Sequence, residues 1–115
     1  MDNTEFPSLQ AERLSEAWQE ALPSVLKDGD RATARADEAN PNAVRVTIES
    51  AGRTGYSFDF CCTYVDSREI KVDLIDVEND NRHIDERSEL VQQLTDDYVR
   101  HLHECAQSLQ PQTHS

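Results

Sequence analysis

The sequence predicts an α+β fold: a two-layer sandwich in which an antiparallel three- to four-stranded meander carries an N-terminal and a long C-terminal helix packed on one face. Three observations point to it. Apolar residues recur at helical spacing near both ends of the chain, and the middle alternates with period two. The alternating segments are joined by short polar stretches, which favours antiparallel neighbours. A sheet with one apolar face then needs a cover, and two amphipathic helices supply it.

The first helix is expected over about 9–22. Ser8 is placed to cap it. Leu9, Leu14, Trp18, Ala21 and Val25 make its apolar side, Ala11 and Ala17 fill the same side, and Glu12, Glu16, Gln19 and Glu20 face water. Pro23 ends or kinks it, leaving at most one further turn. Asp28-Gly29 reads as a turn. Residues 31–38 (RATARADE) place Ala32, Ala34 and Ala36 on one side; alanine is a weak strand former, so this is an edge strand. After the turn Asn40-Pro41-Asn42, residues 43–50 turn Val44, Val46 and Ile48 one way and Arg45, Thr47 and Glu49 the other.

The turn 51–55 (AGRTG) leads into the strongest strand, 56–65. There Tyr56, Phe58, Phe60, Cys62 and Tyr64 alternate with Ser57, Asp59, Cys61, Thr63 and Val65. Asp66-Ser67 is a tight turn. Over 68–77, Ile70, Val72 and Leu74 oppose Glu69, Lys71 and Asp73, but Ile75 and Val77 break the parity. That signals a bulge or a half-covered second face. The last helix spans about 85–109, where Val91, Leu94, Tyr98, Leu102, Cys105 and Leu109 form a stripe widened by Leu90 and Ala106. Pro111 stops it. The expectation is one domain over 1–115, with 1–7 and 110–115 flexible.

Composition limits the function classes. Leu, Ile, Val and Phe number 24 of 115 residues, close to the ~20% below which a charged chain is expected to be disordered. The core is therefore thin. There are 23 acidic against 11 basic residues, net charge -12, and the basic set is 9 Arg with 2 Lys. Abundant carboxylates with scarce lysine match a salt-rich cytoplasm, where a Debye length of ~3 Å at 1 M salt makes like charges cheap. The second half is the more acidic. Net acidity disfavours nucleic acid, although Arg31, Arg35 and Arg45 make a local basic patch on the early strands. No apolar run approaches the ~18 residues of a membrane span. The opening MDNTEF lacks the features of a signal peptide, so a cytoplasmic location is expected.

Candidate chemistry is sparse. Cys61, Cys62 and Cys105 are odd in number and irregular in spacing, which argues against a disulfide framework. On the last helix, Asp97, His101 and Cys105 lie four apart and could hold a metal or a thiol–imidazole pair, with His83 or Cys62 as a further ligand. Against this, Cys105 falls inside the apolar stripe. Asp76, Glu78 and Asp80 have the first spacings of a calcium loop, but Asn81 stands where glycine is required and Arg87 where glutamate is required. Cys61, on the outer sheet face beside Arg45 or Lys71, is a candidate reactive thiol. Asp59 and Asp73 are candidate cross-strand carboxylates. The sequence calls for no cofactor and leaves open whether the chain is an enzyme.

The reading favoured is a small acidic cytoplasmic interaction or adaptor module that binds a protein partner or a second copy of itself. Cys61, Val65, Ile75 and Val77 would form its apolar contact patch, with the free edge at 31–38 or the last helix as further surfaces. The alternative is a ligand-binding protein or enzyme with a pocket between sheet and helices lined by Tyr56, Tyr64, Tyr98 and His101.

Overall fold

A computed structural model describes residues 11–27, 29–50, 56–79, 82–83 and 89–113. The predicted architecture is present. Helix α1 (Ala11–Val25) leads into strands β1 (Arg31–Ala36), β2 (Ala43–Glu49), β3 (Tyr56–Tyr64) and β4 (Ile70–Asn79). A two-residue strand β5 (Arg82–His83), helix α2 (Glu89–Ser108) and the short turn α3 (Gln110–Thr113) follow. All neighbours in the sheet are antiparallel, in the order β1-β2-β3-β4-β5. The expected cap Ser8, the turn at 51–55 and the calcium-like position Asp80 lie outside the described residues. Helix α1 continues through Pro23 to Val25. A proline so near the C-terminus removes one intrahelical donor where the helix is about to end.

Three connections among the described residues follow the turn chemistry of their sequence. Gly29, at φ 92°, occupies the left-handed region that a side chain would disfavour, and Asp30 N–H donates to the Lys27 carbonyl at 3.1 Å. Asp37 Oδ2 accepts from the N–H groups of Ala39 (3.1 Å) and Asn40 (2.8 Å), and Asn40 Oδ1 accepts from Asn42 N–H at 2.9 Å. These are Asx turns, in which a short side chain replaces a backbone acceptor. Asp66 Oδ1 does the same for the Arg68 and Glu69 N–H groups, both at 2.8 Å.

The core is a single cluster between the inner sheet face and both helices. Strands β2 and β3 supply Val44, Val46, Ile48, Phe58, Phe60, Cys62 and Tyr64, α1 supplies Leu14, Trp18 and Leu22, and α2 supplies Val91, Tyr98, Leu102 and Cys105. Tyr98 meets Phe58 edge-on, with ring centroids 5.2 Å apart, and Trp18 meets Tyr64 at 6.5 Å and 86°. Such aromatic pairs add about 0.5–1.5 kcal/mol beyond area burial. That matters in a chain with so few aliphatic residues.

The parity break in β4 is a bulge. Asp59 pairs with Asp76 and Phe60 with Leu74, so Ile75 is the extra residue. This corrects the expectation for Val77. The bulge restores the inward phase, and Val77 is fully buried against the core, whereas Ile75 is 48% exposed.

Candidate interaction surface

Both helices cover the inner face, so the outer face of the four long strands is left open. Its residues follow from register. Three rows cross all four strands: Arg31–Glu49–Ser57–Glu78, Thr33–Thr47–Asp59–Asp76, and Arg35–Arg45–Cys61–Asp73. A fourth runs Ala43–Thr63–Lys71. The basic patch read from the sequence is therefore assembled on β1 and β2. The carboxylates facing it across the sheet are Asp59, Asp73, Asp76 and Glu78 on β3 and β4. Asp59 pairs with Asp76, where an unbroken ladder would set Ile75, because the bulge shifts the register by one; the expected partner Asp73 lies opposite Cys61.

The face is close to neutral. Its strand positions hold 4 of the chain's 11 basic residues and 5 of its 23 acidic ones, leaving 7 and 18 elsewhere. The two signs are segregated. The β1–β2 half carries three arginines against Glu49; the β3–β4 half carries Lys71 against four carboxylates. Arg35 and Arg45 are directly opposite each other, as are Asp59 and Asp76. Like charges in such positions destabilise a sheet.

Local bonds offset part of that cost. Arg45 Nη1 lies 3.5 Å from Asp37 Oδ1. Arg35 Nη1 donates to Thr47 Oγ1 at 3.4 Å, and the Thr47 hydroxyl donates to Asp59 Oδ1 at 2.6 Å. Lys71 Nζ is 3.8 Å from Asp73 Oδ2. Cys61 sits near the middle of the face, half-buried, with Sγ 3.7 Å from Thr63 Oγ1. Arg45 flanks it on one side and Asp73 on the other, so the positive charge expected to activate the thiol is matched by a negative one.

The other predicted site residues are dispersed. Val65 is 51% exposed but lies at the end of the β3–β4 hairpin, and Lys71 and Asp73 separate it from Ile75 along the sheet. With Val77 turned inward, the four residues do not form one apolar patch. On α2, Tyr98 and Cys105 enter the core, while His101 pairs with Glu104 at 3.1 Å and Asp97 with Arg100 at 3.4 Å. Burial pushes the Cys105 thiol up to about 12 and the Cys62 thiol higher still, so both are neutral at ordinary pH. Among the described residues, no group of three or more His, Cys, Asp or Glu is placed to hold a metal ion.

Of the predicted pocket tyrosines, Tyr64 and Tyr98 have their hydroxyls bonded within the fold, and Tyr56 is half-buried and stacked on Phe58. Trp18 Nε1 donates to Tyr64 Oη at 3.1 Å. Tyr98 Oη donates to Asp30 Oδ2 at 3.4 Å, and with that proton used, the Ser50 hydroxyl is the donor to Tyr98. Burial is the main cause that raises the Tyr98 phenol above its ordinary value. A concave site exists elsewhere: a groove of about 420 Å³ between the β3–β4 turn and the end of α2, lined by Arg68, Glu69, Ile70, His103, Ala106, Gln107 and Gln110.

Gln19 is a residue the sequence reading assigned only to water. Its amide bonds the outer edge of β1, with Oε1 accepting from Ala34 N–H at 2.8 Å and Nε2 donating to the Ala32 carbonyl at 3.0 Å. On the polar side of α1, among Glu12, Glu16 and Glu20, nothing in the sequence distinguishes it. No family model, curated protein or solved structure matches the chain. Among the described residues, no helix is long and apolar enough to cross a membrane.

Proposed function

We propose that the chain is a non-catalytic protein-interaction module that works through the outer face of its sheet. The observation that carries this reading is the charge pattern of that face: near neutral in a chain of net charge -12, with its two signs segregated by strand. Like-charge neighbours such as Arg35/Arg45 and Asp59/Asp76 lower the stability of a bare sheet and gain from a surface of opposite sign laid over them. The edge of β1 is a poorer contact, because Gln19 occupies its central hydrogen-bonding groups. The acidity elsewhere fits adaptation to a salt-rich cytoplasm.

Cys61 reports directly on coverage, since Cys62 and Cys105 are buried. Its maleimide alkylation is expected to slow severalfold in concentrated cell extract or at high concentration of the pure protein, relative to dilute buffer. An unchanged rate in both overturns the reading.

A second reading rests on the groove beside α2, where Arg68, His103, Gln107 and Gln110 converge. Such a mixed polar concavity suits a small polar ligand. A panel of small carboxylates and phosphates should raise the melting temperature of the wild type and not of His103→Ala; no shift with any of them removes this reading.

A further inference from the structure

We infer that the occupant of the outer sheet face is a second copy of this chain, related by a two-fold axis running close to the strand direction between β2 and β3. The inference rests on the interaction-module reading and specifies its partner. A two-fold axis in the plane between two stacked sheets has two limiting directions. Across the strands, it lays β1 on β1 and sets arginine against arginine. Along the strands, it keeps each cross-strand row in place and reverses its order. The β1–β2 half of one copy then covers the β3–β4 half of the other. Stacked sheets align to within about 30° because of their twist, so the rows stay matched near the centre.

Two of the reversed rows are complementary at their ends, while in the other two Asp76 meets Thr33 and Lys71 has no strand residue opposite it. Arg31 of one copy meets Glu78 of the other, and Arg35 meets Asp73, each pair occurring twice because the contact is isologous. In the centre, Thr47 meets Asp59 and Arg45 meets Cys61. The Arg35/Arg45 pair thus faces Asp73 and Cys61, and the Asp59/Asp76 pair faces Thr47 and Thr33, so neither like-charge pair meets its own sign. The face is also where two chains of net charge -12 repel least, since it holds 5 of 23 acidic residues beside 4 of 11 basic ones.

Four strands at about 4.8 Å spacing and some seven residues long span roughly 19 by 23 Å in plan. That is below the ~800 Å² per partner of a standard interface. The dimer is accordingly a weak one, held by its charge matching and populated at high protein concentration.

The test is charge reversal with mixing, read by sedimentation equilibrium. Arg35→Asp and Asp73→Arg should each weaken self-association by about tenfold or more, because each puts two like-charge contacts into the homodimer. An equimolar mixture of the two variants should associate again, since both cross-interface pairs are then of opposite sign. Circular dichroism of each variant establishes that it is folded. Should either fail to fold, Arg31→Glu with Glu78→Arg provides the same test two rows away. A mixture that stays monomeric, or a wild type that stays monomeric at millimolar concentration, overturns the inference. Cys61 protection in cell extract but not in concentrated pure protein would then leave the module reading standing with a different partner; protection in neither would remove both.

Discussion

Gln19 closes the free edge of the sheet at Ala34: the Ala34 N–H donates to its side-chain oxygen at 2.8 Å, and its amide nitrogen returns a bond to the Ala32 carbonyl at 3.0 Å. A glutamine from the first helix thus stands where another strand would pair. An edge of small alanines, with few bulky side chains to obstruct approach, otherwise offers a template for pairing with another chain. Gln19→Ala should cost about 1 kcal/mol, because the released backbone groups regain water. Its larger effect should be on aggregation, read as increased light scattering during thermal unfolding. Gln19→Glu keeps an acceptor for Ala34 and loses the donor to Ala32, and should fall between the two.

The bond from Trp18 to Tyr64 ties the first helix to the end of β3, and both partners are buried. In Tyr64→Phe the indole N–H loses its acceptor, at a cost of about 1–3 kcal/mol. Trp18 is the only tryptophan in the chain, so its fluorescence reports on this site alone. Urea denaturation followed by that signal should show a lower midpoint for Tyr64→Phe. An unchanged midpoint would mean that the bond contributes nothing net.

The fold was legible in the sequence because its signals are local. Alternation in Tyr56–Tyr64 and the spacing of Val91, Tyr98, Leu102 and Cys105 are properties of one segment each, and even the alanine edge strand could be read. The parity break at Ile75 announced the bulge. What it did to Val77 was harder to read, because whether the phase recovers after an extra residue depends on the partner strand. The surface was legible only in part. Arg31, Arg35 and Arg45 were visible as a patch, but their relation to Asp73 and Glu78 exists only through the register of three ladders. That Trp18 reaches the Tyr64 hydroxyl, and Ser50 and Asp30 that of Tyr98, was not legible either, because these partners lie far apart in the chain.

Alkaline pH should destabilise the protein through groups that the fold keeps neutral. Burial raises Cys62 and Cys105 above the ordinary thiol value of 9.0, Cys105 to about 12, and raises Tyr98 above 10.0. Between about pH 9 and 12 the unfolded chain releases these protons while the folded chain retains them. Stability is then complete below pH 9 and falls as pH rises, by about 1.4 kcal/mol per pH unit for each group in its window. Denaturation midpoints at pH 8, 9, 10 and 11 check this. Cys105→Ala should flatten the fall, and a profile level to pH 11 would contradict the account.

With 18 acidic residues outside the sheet face against 7 basic ones, self-repulsion opposes the compact state. Raising KCl from about 0.1 to 1 M shortens the Debye length from ~10 to ~3 Å. The melting temperature should rise across that range. A fall would mean that attractive pairs such as Arg45–Asp37 outweigh the repulsion.

The bulge makes a prediction about chain length. Without Ile75, the strand reads Ile70, Lys71, Val72, Asp73, Leu74, Asp76, Val77, in which every apolar residue already faces the core. The pairs Asp59–Asp76 and Phe60–Leu74 then become consecutive rungs of a regular ladder. Deletion of Ile75 should therefore leave the fold intact, removing only a half-exposed side chain. Deletion of Asp59 from the partner strand has the opposite consequence. It leaves Phe58 and Phe60 adjacent and forces one of them, with everything beyond it, onto the solvent face, since a one-residue slip exchanges the two faces of a strand. Circular dichroism and urea denaturation should show a cooperative, near-native transition for the first deletion and none for the second. Loss of cooperativity in both would show that the bulge is required for the twist that seats β4 against α2, and not merely a tolerated insertion.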